Sequence, residues 1–132
     1  SIICFEILFE KFTRNLVKKG ANLIACLSNT SYFGTSNWPI LHAAYTPFRS
    51  AENKIPIIFI NNTGFSIVTN SIGKIIHTSP LTKESISNLT LSATKMTPTF
   101  YNKYPHLVLL SACLYLITLL IQSVKKFFLN TR

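Results

Sequence analysis

One stretch of this chain carries residue types and a spacing suited to covalent chemistry: Ser1-Ile2-Ile3-Cys4-Phe5-Glu6. An apolar run ends in a cysteine, and an aromatic and a carboxylate follow it. A thiol at a strand–helix junction lies beside the helix N-terminus, whose unpaired amides and dipole favour the thiolate. A thiolate attacks acyl carbons, and the amide of Phe5 is a candidate donor to the oxyanion that such an attack creates. The residues alone leave a second reading open, in which Cys4 is one more buried strand thiol. Cys26 lies mid-strand and reads as core; Cys113 falls in a long apolar run near the C-terminus.

The remaining inventory excludes more than it offers. At 132 residues the chain can hold one domain with a real core. Thirteen Lys and Arg face four acidic residues, all Glu, for a formal charge of +9. Only 13% of residues are charged, which is too few for a charge-rich disordered chain. The basic residues are scattered, with Lys18-Lys19 and Lys125-Lys126 the only doublets. Nothing interleaves them with aromatics on a sheet, so nucleic acid is not an expected partner. There is no CxxC and no Cys/His cluster, and neither a metal nor a cofactor is expected. His42, His77 and His106 stand singly. The sequons at Asn29, Asn61 and Asn88 are what chance gives in a chain rich in Asn, Ser and Thr.

The elements that must position Cys4 follow from pattern. "SIICF" reads as a short strand. "EILFEKFTRNLVKKG" is amphipathic, with Leu8, Phe12 and Leu16 repeating at i+4 and Gly20 as its stop. "ANLIACLSN" is a buried strand and "TSYFGTSNW" a loop. A second helix runs from Pro39 to about Lys54, and Pro47 inside it predicts a kink or break. "IPIIFIN", "FSIVTN" and "KIIHT" are strands divided by turns at Asn62-Thr63-Gly64 and Ser71-Ile72-Gly73. A further strand is expected over 86–92. The order predicts an α/β layered sheet. A first strand this short, with no Met before it, suggests a sheet that began upstream, in a longer protein.

Residues 107–124, "LVLLSACLYLITLLIQSV", carry no charge. As a helix they would span about 27 Å, close to the thickness of a hydrocarbon core. Tyr101, Tyr104 and His106 border one end, Lys125, Lys126 and Arg132 the other. The positive-inside rule then puts the basic tail in the cytoplasm and residues before Pro105 on the far side. A buried core helix is the competing reading. The expected division is 1–94, a connector 95–105, a membrane helix 106–124 and a basic tail 125–132.

Taken in order, "CFE" after an apolar strand, "LSNTSYFG", His42, "RSAEN", "NNTG" and a final apolar helix resemble the C-terminal part of the apolipoprotein N-acyltransferase family. The resemblance covers Ile2 to about Leu119. It implies a C-terminal part of a nitrilase-like α-β-β-α sandwich followed by one transmembrane helix, in a bacterial inner membrane. That family works with a Glu-Lys-Cys triad, and Cys4 matches its nucleophile. The cysteine takes an acyl chain from a membrane phospholipid as a thioester. The N-terminal diacylglyceryl-cysteine of an apolipoprotein then accepts it. The general-base Glu and the Lys lie upstream of the cysteine in the family. Glu6 is therefore a supporting group, not the base. Phe5, Tyr32 and Phe33 are placed by the resemblance to receive the acyl chain. Asn29, Gly34, His42, Arg49, Glu52, Asn62 and Gly64 match structural positions near the site. Thr30 and Tyr32 stand where the family has Asp and Trp, and Leu41 where it has Gln. Lys95 and Thr99 replace the outer residues of a Gly-Leu-Thr-Pro-Tyr run. Two alternatives remain: a soluble amidase of the same superfamily, and an inactive membrane-anchored remnant.

Overall fold

The computed structural model describes residues 1–34, 36–80, 84–92 and 97–130. Residues 1–102 form one compact unit and residues 103–132 another. The first unit is built on a five-stranded sheet in the order β1-β2-β3-β4-β5, with β1 Ile2–Ile3, β2 Ile24–Ser28, β3 Ile57–Asn61, β4 Ile67–Thr69 and β5 Ile75–Thr78. β1, β2 and β3 are parallel; β4 and β5 return antiparallel. Parallel neighbours need long crossovers. Helix α1 (Glu10–Lys18) supplies the first and α2 (Trp38–Asn53) the second.

Strand alternation sorts the two faces. Ile2, Ile24, Cys26, Ile57 and Phe59 are buried and form the core with Ile7, Val17, Ala43 and Ile55. Their neighbours Ile3, Leu27 and Ile60 are paired in one row across three strands and are 67%, 52% and 47% exposed. α2 buries Pro39, His42, Ala43, Thr46, Arg49, Ser50 and Asn53, a stripe at helical spacing against β3, β4 and α1.

Several expectations are corrected. The first strand is only Ile2–Ile3, because Cys4–Leu8 forms a 3-10 turn. Phe9 then takes an extended backbone, so Leu8 is not on the helix that carries Phe12. The helix is thereby rotated: Thr13, Arg14 and Val17 are its buried face, Leu16 is partly buried, and Phe12 is exposed against Phe9. "TSYFG" is not plain loop, since Ser31–Phe33 is a second 3-10 turn. α2 runs as one helix through Pro47, so the expected break does not occur. The missing amide of Pro47 removes one helical hydrogen bond, and burial on both sides of it outweighs that loss. Residues 86–92 form no strand, and the connector contains a short helix α3, Phe100–Lys103.

Gly73 shows how tightly the β4–β5 turn abuts α2. Its φ is +82°, and a Cβ there would lie 2.6 Å from the Pro47 carbonyl oxygen and 3.0 Å from Ala51 Cβ. Asn70 Oδ1 closes this turn by accepting from the amides of Ile72 and Lys74.

The second unit is helix α4, Leu107–Asn130. Its window Leu109–Lys126 has a mean hydropathy of 1.4 and no buried residue. By length and composition it is sufficient to cross a membrane.

Candidate active site

Cys4 follows β1 and opens the 3-10 turn with a φ of +48°, one of two non-glycine residues with positive φ among those described. A side chain in the left-handed region costs roughly 1–2 kcal/mol. Three contacts hold it there. The Glu6 carboxylate accepts from the Ile3 amide at 2.7 Å, closing the turn from the inside. His42 Nε2 lies 3.0 Å from the Cys4 carbonyl oxygen. The Cys26 thiol, one strand away, donates to the same carbonyl at 3.8 Å. Burial pushes the Cys26 thiol up to about 12, with the nearby Cys4 and Glu6 adding to the effect, so Cys26 stays neutral and is core.

The Cys4 sulfur itself meets Ser28. Ser28 Oγ is 3.6 Å from Cys4 Sγ and 3.4 Å from His42 Nδ1. The pairing Ile2↔Cys26 and Ile3↔Leu27 carries on so that Cys4 stands opposite Ser28. His42 is buried, its ring stacked on Phe5 at 5.4 Å and edge-on to Phe59 at 5.2 Å. Burial lowers its affinity for a proton, and the bond to the Cys4 carbonyl offsets only part of this.

Phe5 lies in an aromatic cluster with Phe33 at 6.1 Å and Trp38 at 6.0 Å, and Tyr32 packs on Phe33 at 5.2 Å. Tyr32 is 69% exposed. The aromatics thus pack over His42. A cavity of about 850 Å³ is lined by Phe59, Asn61, Asn62 and Gly64 together with Ile60 and Val68, and does not include Cys4, Phe5, Tyr32, Phe33 or Trp38.

The loop after β2 is tied to the loop after β3. Asn29 Oδ1 accepts from the amide and hydroxyl of Ser31, the turn-forming role open to it. Thr30, 1% exposed, donates its hydroxyl to the Thr63 carbonyl and accepts from Asn61 Nδ2 at 2.8 Å. Its amide donates to Asn62 Oδ1 at 3.3 Å. The hydroxyl therefore anchors the loop where the family resemblance has a carboxylate. Gly64, at φ +105°, leaves room for this seam: a Cβ would lie 3.0 Å from Pro39 Cβ and 3.1 Å from Asn61 Nδ2. Gly34 has a φ of +54° and open space around it.

Arg49 and Glu52 sit elsewhere. They form an ion pair on the last turns of α2, beside Asn53, which donates to the Arg49 carbonyl at 2.7 Å and to Thr13 at 3.4 Å. The Glu52 carbonyl accepts from Thr99 Oγ1 at 2.6 Å. Burial holds the Glu52 carboxyl above its ordinary range despite Arg49. No described contact joins this pair to Cys4, Ser28 or His42. Sequence reasoning missed Ser28 and Trp38. Period-two alternation from buried Cys26 points Ser28 to the helix side, but only the β1–β2 register brings it to Cys4.

Comparison with known proteins bears on the family. Residues 1–99 match the carbon-nitrogen hydrolase family model. An apolipoprotein N-acyltransferase of Geobacter metallireducens is 33% identical over 103 residues, 78% of this chain and 20% of that protein. One from Bdellovibrio bacteriovorus is 33% identical over 105 residues, 79% of this chain and 19% of its own length. One from Rickettsia prowazekii is 25% identical over 116 residues, 88% and 23% respectively. The crystal structure of Nit3 from Saccharomyces cerevisiae, a nitrilase-superfamily member, aligns with a TM-score of 0.47 at 22% identity, over 62% of this chain and 33% of that one. The chain spans about a fifth of the length of the acyltransferases it matches. With three quarters of its length under one family model, the chain belongs to the carbon-nitrogen hydrolase family.

Proposed function

We propose that this chain is the C-terminal part of a phospholipid:apolipoprotein N-acyltransferase, with Cys4 as its nucleophile. The observation that carries the reading is Cys4 itself: a cysteine in a strained backbone at a strand end, its carbonyl pinned and its sulfur beside a hydroxyl. The similarity to apolipoprotein N-acyltransferases over more than three quarters of the chain supports it.

In this reading the Cys4 thiolate attacks the ester carbonyl of a phospholipid. The tetrahedral intermediate collapses, expelling the lysophospholipid oxygen, which takes a proton, and leaving a thioester on Sγ. The α-amine of a diacylglyceryl-cysteine attacks that thioester, loses a proton and displaces the thiolate. Phe5 N–H lies in the first turn after the strand, where amides lack intrahelical acceptors, and is our candidate oxyanion donor. Glu6 shapes the turn. The family's general-base Glu and its Lys lie upstream of the cysteine, and neither role is given to a residue of this chain. The apolar row Ile3, Leu27 and Ile60 is the face that the second sheet of a nitrilase sandwich would cover.

α4 is proposed to span the bacterial inner membrane, with the tail at Lys125 and Lys126 cytoplasmic and the catalytic part outside. We place the catalytic residues at 1–94, the connector at 95–105, the span at 106–124 and the basic tail at 125–132. Lys95 lies outside the described residues.

The test is acyl-thioester trapping in the full-length protein with labelled phospholipid. Hydroxylamine-sensitive label that disappears in Cys4→Ala is expected. Label that survives Cys4→Ala, or no label on a folded wild-type protein, overturns the reading.

A further inference from the structure

We propose that Ser28 and His42 are a positioning pair for Cys4, in which the Ser28 hydroxyl turns its hydrogen bond between the imidazole and the sulfur as the sulfur changes state. The inference rests on the reading of Cys4 as the nucleophile and adds two residues to it.

Hydrogen-bond arithmetic gives the direction. The Cys4 carbonyl can only accept, so His42 Nε2 must carry a proton to bond it at 3.0 Å. A buried imidazole between two aromatic rings stays neutral at pH 7, which leaves Nδ1 as a bare lone pair. Ser28 has one proton and two acceptors within reach, Nδ1 at 3.4 Å and Cys4 Sγ at 3.6 Å. While Cys4 is a thiol, S–H donates to Ser28 Oγ and Oγ–H donates to Nδ1. Once the sulfur is anionic it is the stronger acceptor, and Oγ–H turns to it. In the thioester the sulfur is a weak acceptor again and the proton returns to Nδ1. Deprotonation of the thiol is a separate step, its proton passing to the family's general-base Glu in the acyltransferase reading and to solvent base in alkylation; the Ser28 O–H bond itself does not break, and the hydroxyl only rotates. Ser28 thereby stabilises the thiolate both as attacking group and as leaving group.

The other groups facing Cys4 are Glu6 on its own turn and Cys26 on β2. Neither contacts Ser28 Oγ among the described hydrogen bonds. A merely structural His42 would fill space between Phe5 and Phe59, and replacing it would leave the sulfur's ionisation unmoved.

The experiment is alkylation of Cys4 by iodoacetamide in the full-length protein, read by mass spectrometry of the Cys4 peptide between pH 5 and 10. Ser28→Ala should raise the midpoint of the pH–rate profile by about one unit, a tenfold loss of reactive thiolate below it. Ser28→Thr, which keeps the hydroxyl on a β-branched strand residue, should restore it. His42→Gln keeps a donor for the Cys4 carbonyl and replaces the basic imidazole lone pair by a weaker amide acceptor, and should lower the midpoint. A midpoint unmoved by Ser28→Ala, or moved the same way by both variants, overturns the inference. Alkylation needs no lipid, so it is independent of acyl trapping. A shifted midpoint without acyl label would sink the acyltransferase reading alone. Acyl label with an unmoved midpoint would sink the pair alone.

Discussion

Replacing Thr30 by Val tests whether the seam between the β2 and β3 loops hangs on one hydroxyl. Val keeps the shape and the β-branch and removes a single oxygen. That oxygen accepts from Asn61 Nδ2 at 2.8 Å and donates to the Thr63 carbonyl, in a residue that is 1% exposed. Without it Asn61 Nδ2 becomes a buried donor with no acceptor, which costs about 1–3 kcal/mol. The Thr63 carbonyl lies nearer the surface, where water can replace the lost donor. We expect a total near 2 kcal/mol, or roughly a 30-fold rise in local opening. The assay is hydrogen exchange of the full-length protein, read on the amides of Thr30 and Phe33, which bond Asn62 Oδ1 and the Thr30 carbonyl. Thr30→Ser should stay near wild type. Thr30→Asp would still accept from Asn61 but would set a carboxylate against the Thr63 carbonyl, and should open the loop at least as much as Val. Unchanged protection in Thr30→Val would refute the assignment of the anchor to the hydroxyl.

Gly73→Ala should destabilise the catalytic unit by about 2 kcal/mol or more, since the new methyl meets the Pro47 carbonyl in a left-handed backbone. Gly20→Ala, at φ +96° with nothing within 4 Å, is the control and should cost about half as much. Equal losses in unfolding midpoint would contradict the close approach of turn and helix. His42, its proton affinity lowered by burial, contributes stability that is present above the unfolded pKa near 6.5 and is lost as pH falls through the lower folded value. His42→Gln should flatten the stability profile on the acid side of pH 7, and a profile of unchanged slope would refute the buried neutral imidazole.

The order of strands and helices was legible because each announces itself locally. Alternation in "IACLS" and "IIFIN", a helical stripe in α2 and glycine stops need no partner to be read. The shape of the Cys4 turn was not legible, because its determinants are distant. Its backbone is held by Glu6 reaching back to Ile3 and by His42, which lies 38 residues on. The α1 face was misjudged because periodicity was counted through a 3-10 turn that resets it. Pro47 carries a local rule that packing overrides, and 86–92 is apolar enough for a strand without finding an edge to join. Thr30 reads as a lost carboxylate until its partners, Asn61 and Thr63, are seen to need a donor as well as an acceptor.

The topology also explains why some motif residues meet at the thiol and others do not. β1, β2 and β3 are parallel, so their carboxyl ends lie at one edge of the sheet, the place where open α/β folds put their chemistry. Cys4 directly follows β1, Ser28 ends β2, and Asn61 ends β3, with Asn62 and Gly64 just beyond it. α2 must run back against the strands to make its crossover. Its first turns, with Trp38 and His42, therefore stand at that edge. Arg49 and Glu52, seven and ten residues past His42, are carried about 10 and 15 Å along the helix toward the other edge. There the Glu52 carbonyl takes the Thr99 hydroxyl, and the neighbouring Asn53 reaches Thr13 of α1. One helix thus does two jobs at its two ends. Its start fixes the peptide that carries the thiol, and its end fastens the connector to the catalytic unit. A substitution at Arg49 should act on stability and leave the Cys4 alkylation profile where it was, because its contacts lie at the other end of α2.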